Sequence, residues 1–194
     1  MLLSESVPQM VTTFPKEVGS WQTTKPHASR AGNPEANASG RDPRPRGRES
    51  TMQQQPTNGA ASGAVYVQTN AGPNEVIAFR QAGDGSLEPI GKVATGGDGD
   101  GSPHLQSQGS VVLAGDGQHL LVTNASSGDL SVFSVAADGQ IELRERIETG
   151  DTPRSVDEHN GLVVVLNTGE PGLASFRLDE EGIRPVEGGE QALA

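Results

Sequence analysis

The chain contains no cysteine, so a disulfide framework, a thiolate metal site and a cysteine nucleophile are excluded together. The metal ligands that remain are carboxylates and four His. Aromatic residues are scarce, with one Trp, one Tyr and four Phe in 194 residues. No apolar run approaches the roughly 20 residues that a membrane-spanning helix needs. The opening stretch MLLSESVPQMV has neither a basic segment nor an apolar run long enough for a secretory signal, so the cytoplasm is the expected compartment.

Positive charge is short where the sequence is most regular. Residues 1–62 hold seven Lys/Arg and five acids, whereas residues 63–194 hold seven and twenty, a net of −13. Such an acidic segment repels phosphate backbones and anionic lipid surfaces, so neither nucleic acid nor membrane is the expected partner. The first 62 residues scatter single apolar side chains among Pro, Ser, Thr, Gln, Asn and Gly with no period, and are expected to form a disordered tail. RDPRPRGR (residues 41–48) could serve as a basic arm, but Asp42 and Glu49 dilute it and no aromatic is interleaved for stacking, which favours a solvated linker. Met52 is a second start compatible with the pattern, since it precedes the first strand-like run.

What the sequence does have is a repeat. Three Phe lie nine residues after an Asn: Asn70 and Phe79, Asn124 and Phe133, Asn167 and Phe176. Val76, Leu130 or Leu173 stands three residues before each Phe, and an acid-Gly pair follows each at Asp84-Gly85, Asp138-Gly139 and Glu181-Gly182. Thr95-Gly96 and Thr149-Gly150 recur in the first two units and have no counterpart in the third. The second unit reads SVVLAG, HLLVTN, DLSVFSVA and IELRERIE, four short strands separated by turn residues. The third reads RSVDE, LVVVLN, LASFRL and IRPVEG; the first offers AVYVQTN, EVIAFRQ and LEPIGKVAT with no clear strand before them. Four antiparallel strands in each unit of about 43 residues is the period of a β-propeller blade. LVVVL, apolar at every position, is expected to be covered on both faces by neighbouring blades. The fold class is therefore all-β, with blades at about 63–97, 104–150 and 153–194 after the tail.

GAVYVQTN, SQGSVVLAGDGQHLLVTNASSGDLSVFSV and RSVDEHNGLVVVLNTGEPGLASFRLDEEG resemble the lactonase-type seven-bladed propellers, a family that includes a bacterial 6-phosphogluconolactonase and the 3-carboxy-cis,cis-muconate lactonising enzyme. The resemblance covers residues 63–194 and implies about three N-terminal blades of seven. It also implies a hydrolase of carbohydrate metabolism that opens a sugar lactone such as 6-phosphogluconolactone, its partner being a small lactone or sugar acid. Two accounts of the length are compatible with this: the chain is part of a longer protein, or copies self-associate through open blade faces. The chain alone, its ring unclosed, is expected to be inactive. A noncatalytic binding propeller is the alternative, because fold does not fix function.

Propellers bind ligands in the central channel, so the candidate residues fall in GSPHLQSQGSV (101–111) and GDTPRSV (150–156), which lead into innermost strands. His104 is a candidate catalytic base or hydrogen bonder, against a solvated loop residue. Arg154 is a candidate catalytic cation for a carboxylate or phosphate, against a rim ion pair with Asp151 or Asp157. Ser107 and Gln108 are candidates for substrate binding, against hydrogen bonding to loop backbone. His159 adjoins the Asn160-Gly161 turn and is expected in solvent, and Asn70, Asn124 and Asn167 are expected to be structural. GGDGDG (96–101) fails as a calcium loop, since an EF-hand starting at Asp98 needs Glu where Gly109 stands, and is expected to be a flexible linker. Nucleophile elbow, phosphate-binding Gly-rich loop followed by Lys, and HExxH are all missing, so no cofactor and no metal are expected.

Overall fold

A computed structural model describes residues 9–13, 61–102 and 107–193. Among these residues twelve strands run in three sheets. The first sheet holds β1 Gln9–Thr13, β2 Ala61–Gln68, β3 Glu75–Ala82 and β4 Leu87–Ala94. The second holds β5 Val111–Leu113, β6 His119–Asn124, β7 Asp129–Val135 and β8 Ile141–Glu148; the third holds β9 Pro153–His159, β10 Leu162–Asn167, β11 Gly172–Asp179 and β12 Gly182–Ala192. Each sheet is an antiparallel meander in chain order, and no helix occurs among the described residues. The first strands of the three sheets adjoin one another, β1 beside β5 and β5 beside β9, which makes them the inner strands of three successive propeller blades.

One expectation is corrected at once. Gln9–Thr13 falls inside the stretch read as a structureless tail, yet it pairs with β2 from Gln9 opposite Gln68 to Thr13 opposite Ala64 and supplies the strand the first unit lacked. Five residues are too few to display a period, and the partner lies about 50 positions downstream, so local pattern could not reveal the pairing. β2 also begins at Ala61, two residues before the expected boundary. The basic run 41–48 and Met52 lie outside the described residues.

The second blade explains the apolar runs. Leu120, Val122 and Phe133 pack with Ala64, Tyr66, Val76 and Ala78 of the first blade, while Leu121, Leu130 and Val132 pack with Val163, Val165, Phe176 and Leu178 of the third. Consecutive residues of one strand point to opposite faces, so burying both faces requires an unbroken apolar run. Each fully buried Leu, Val or Phe contributes about 1.5–3 kcal/mol. Phe133 and Phe176 each face the preceding blade, and Val76 and Leu130 face the following one, so the repeated residues are the inter-blade contacts.

The third blade is covered differently from what its sequence led us to expect. Val163 and Val165 are fully buried, but on the other face of β10 Leu162 is 37 % exposed and Val164 and Leu166 are only half-buried. LVVVL therefore has one covered face. At the hairpin end the Tyr66 hydroxyl donates to the Gly139 carbonyl at 3.0 Å, tying the first blade to the second. Burial, followed by the Asp138 charge, pushes the Tyr66 phenol up to about 12, so it stays protonated and donating. Gly139 sits at φ +84 with Ala64 close by, a place for neither a Cβ nor a right-handed backbone.

The recurrent Asn residues fasten the loop end. Asn124 accepts from Asn74 and from the Thr95 hydroxyl, both at 2.8 Å, and donates to Asp129 at 2.6 Å and Ser131 at 2.7 Å. Asn167 repeats the motif in a weaker form, donating to the Thr149 carbonyl at 2.6 Å while its buried side-chain oxygen has no partner. The position equivalent to Asn74 is Gly128, which carries no side chain to reach it. Asn124→Ala should therefore cost about 3 kcal/mol in urea unfolding and Asn167→Ala about 1 kcal/mol. Equal losses at the two positions would contradict this account of the staples.

Candidate functional site

The loop end of the inner strands gathers most of the sequence candidates that the structure describes. Arg154 lies on β9 just after the Gly150–Thr152 loop, and its guanidinium is 2.6 Å from the Asp100 carboxylate, with both side chains about one-fifth exposed. The pairing corrects the expectation of a rim partner at Asp151 or Asp157. Asp100 in turn accepts from the Asn70 amide at 2.7 Å and from the Ser102 backbone N–H at 2.8 Å. One carboxylate thus joins the first blade, the loop that follows it and the third blade.

Ser107 is buried, and its hydroxyl donates to the Arg154 carbonyl at 2.5 Å. Beside it the Val156 N–H donates to the Gly109 carbonyl at 2.7 Å, so β9 is fixed to the segment leading into β5. Ser107 therefore positions the backbone of Arg154. Gln108 is exposed and borders a groove of about 460 Å³ with Val112, Ser155, Asp157, Val164 and Leu166. His104 lies outside the described residues, and His159 is exposed at the opposite, hairpin end. A second groove of about 480 Å³ lies at that hairpin end, between His119 and Arg144 on one side and Asp179–Gly182 on the other.

Residues 96–101 are not the loose linker expected. The Gly99 N–H donates to the Ala71 carbonyl at 2.7 Å, the Gly101 N–H to the Asn70 carbonyl at 2.9 Å, and the Asp98 N–H to the Ser127 hydroxyl at 2.9 Å. A Cβ on Gly99 would lie 2.3 Å from the Asn70 backbone, so glycine is needed there for close approach and not for mobility. The composition that suggested a linker is what lets this loop lie flat on the first blade and present Asp100 to Arg154. Asp100 carries no local signal of this role, because its partner Arg154 is 54 positions away and the loop that holds it resembles only a calcium or linker segment. Among the described residues no group of three or more His, Asp or Glu has metal-holding geometry.

Electrostatics at this end are dominated by paired charges. Burial raises the Asp100 carboxyl, but the hydrogen bonds from Ser102 and Asn70 and the Arg154 charge outweigh it and hold the group below the usual carboxylate range. Asp129, 3 % exposed, follows the same pattern: burial raises it, and Arg146, Ser127 and Asn124 bring it down further. Lys92 pairs with Glu75 in the first blade.

A family model, described as the lactonase seven-bladed β-propeller, matches residues 59–187. This chain belongs to the lactonase family of seven-bladed β-propellers. Solved structures agree on the fold. A candidate 6-phosphogluconolactonase from Bacteroides fragilis superposes with a TM-score of 0.56 at 24 % identity, covering 67 % of this chain and 36 % of that one. A periplasmic gluconolactonase from Pseudomonas aeruginosa gives 0.55 at 24 % identity over 68 % and 37 %. A candidate 6-phosphogluconolactonase from Bacteroides uniformis gives 0.57 at 18 % over 67 % and 37 %. This lactonase-family chain spans little more than a third of their length. None of the curated proteins matches it.

A carboxyl whose folded pKa lies below its unfolded value contributes stability above the unfolded pKa and loses it as pH falls through the folded one. The stability advantage of the wild type over Asp129→Asn should therefore be constant at neutral pH and shrink below about pH 4. Urea unfolding from pH 7 to pH 3 measures it; an advantage that grew toward acid would reverse the sign assigned to Asp129.

Proposed function

We propose that this chain contributes the loop end of its blades to a site that binds a sugar lactone and, in the complete ring of its family, opens it by hydrolysis. The observation that carries this reading is the Arg154–Asp100 pair at the start of β9, next along the strand to Ser155, which borders the Gln108 groove, in a chain whose family is the lactonase propellers. Ring opening needs an attacking water, a group that takes its proton, and donors for the oxygen that becomes negative. The Arg154 guanidinium is the donor that fits the last role, since it is always charged and is held through its own carbonyl by Ser107. The Gln108 side chain and the Ser155 hydroxyl suit the hydroxyls of the ring. The partner in this reading is a small lactone or sugar acid, in the cytoplasm, with neither nucleic acid nor membrane involved.

A noncatalytic binding propeller is the second reading. It is favoured by Ser107 and Arg154 being engaged in bonds between blades, as structural residues would be.

NMR titration of the chain with gluconolactam, an uncharged ring that cannot hydrolyse, tests the first reading. Shifts are expected at Gln108, Ser155 and Asp157 and should be lost in Arg154→Ala, with lactone turnover by the chain alone no faster than buffer. Shifts confined to the hairpin-end groove, or unchanged by Arg154→Ala, would remove Arg154 from the site.

A further inference from the structure

Phosphate recognition draws on unengaged cations, helix N-termini or backbone N–H groups, because a dianion must recover its hydration through strong donors, and the N–H groups of Asp98, Gly99, Gly101 and Ser102 in the Gly-rich loop already donate within the protein. No helix is present among the described residues. The described cations at the loop end are Lys92, Arg146 and Arg154, and each already faces a carboxylate: Glu75, Asp129 and Asp100. Asp98 and Asp151 add negative charge to the same loops. Of the three cations, only Arg154 stands on an inner strand, and its partner is held in place independently by Asn70 and Ser102.

We propose that Asp100 is a specificity-determining residue: by occupying Arg154 it suits the loop end to an unphosphorylated, uncharged lactone ring and excludes a phosphorylated one. The proposal rests on the lactone reading above and narrows its substrate class. Paired with Asp100, Arg154 still has N–H groups to donate to a carbonyl oxygen and to the single negative charge that oxygen gains on attack, but the pair offers no net charge to a phosphate dianion. A second anion brought to this pair would meet the Asp100 carboxylate 2.6 Å from the guanidinium it seeks.

The test measures binding of three probes, inorganic phosphate, glucose 6-phosphate and gluconolactam, to the full chain by NMR titration. Asp100→Asn keeps the side chain's shape and its acceptor for Asn70 and Ser102 while removing the charge. The wild type should bind glucose 6-phosphate no more tightly than gluconolactam. Asp100→Asn should bind phosphate and glucose 6-phosphate roughly tenfold more tightly or better. The double variant Asp100→Asn/Arg154→Gln should lose that gain, which separates a released Arg154 from a general fall in negative charge. A thermal melt of each variant checks folding, and the conservative variant Asp100→Glu, with its charge intact, should bind phosphate no better than the wild type. Tight phosphate binding by the wild type, no gain in Asp100→Asn, or a gain that survives loss of Arg154 would each overturn the proposal. Loss of gluconolactam binding with the phosphate gain intact supports the masking role of Asp100 and removes only the lactone reading.

Discussion

The carboxylate of Asp100 is the point on which the loop end of this structure depends. It stands between blades yet belongs to none of the sheets, and it accepts from Asn70 at the end of β2 while pairing with Arg154 at the start of β9. A charged group about one-fifth exposed keeps its charge only if its bonds replace most of its hydration. Here two N–H donors and a guanidinium do so, and the carboxyl is held ionised as a result. Because Ser107 fixes the backbone of the same arginine, the side chain most suited to chemistry is also a strut between blades. The proposed donor and the strut between blades are one residue.

Apolar packing holds the blades face to face, and polar bonds set how they meet at their ends. The second blade is buried on both sides, and its neighbours interleave with it through alternate residues of β6 and β7. That packing fixes which faces touch but is non-directional. Direction comes from the staples, Tyr66 to Gly139 at the hairpin end and Asn124 with Thr95 and Asn74 at the loop end. The junction of the second and third blades has fewer of them, since Gly128 stands where Asn74 would be and leaves the Asn167 oxygen unpartnered. The same glycine cannot simply be replaced, because a Cβ there would lie 2.9 Å from the Gly150 carbonyl oxygen.

Much of the fold was legible because the repeat includes the apolar residues that meet between blades. Leu or Val and Phe recur at fixed offsets because Val76, Leu130, Phe133 and Phe176 meet between blades, while the Asn side chains fasten loop ends and the acid-Gly pairs make the hairpin turns. What escaped notice has physical reasons. β1 is too short to show a period and pairs at long range. The one-sided cover of β10 is decided by what stands beside the blade and not by its own sequence. The glycines of 96–101 signalled freedom, whereas close approach to Asn70 and Asn124 requires them. Arg154 stands out in the sequence as a cation before an inner strand, but its partner is 54 positions away in a loop whose composition is that of a linker.

The most direct test of Asp100 as a joint between blades is a double-mutant cycle on unfolding free energy with Asn70→Ala and Arg154→Ala. Both side chains bond the Asp100 carboxylate, one on each oxygen. If that carboxylate binds both at once, the losses should be non-additive by about 1 kcal/mol, since removing either partner changes how firmly the other is held. Additive losses within a few tenths of a kcal/mol would mean that Asp100 is no shared joint, and the account of the loop end would fail.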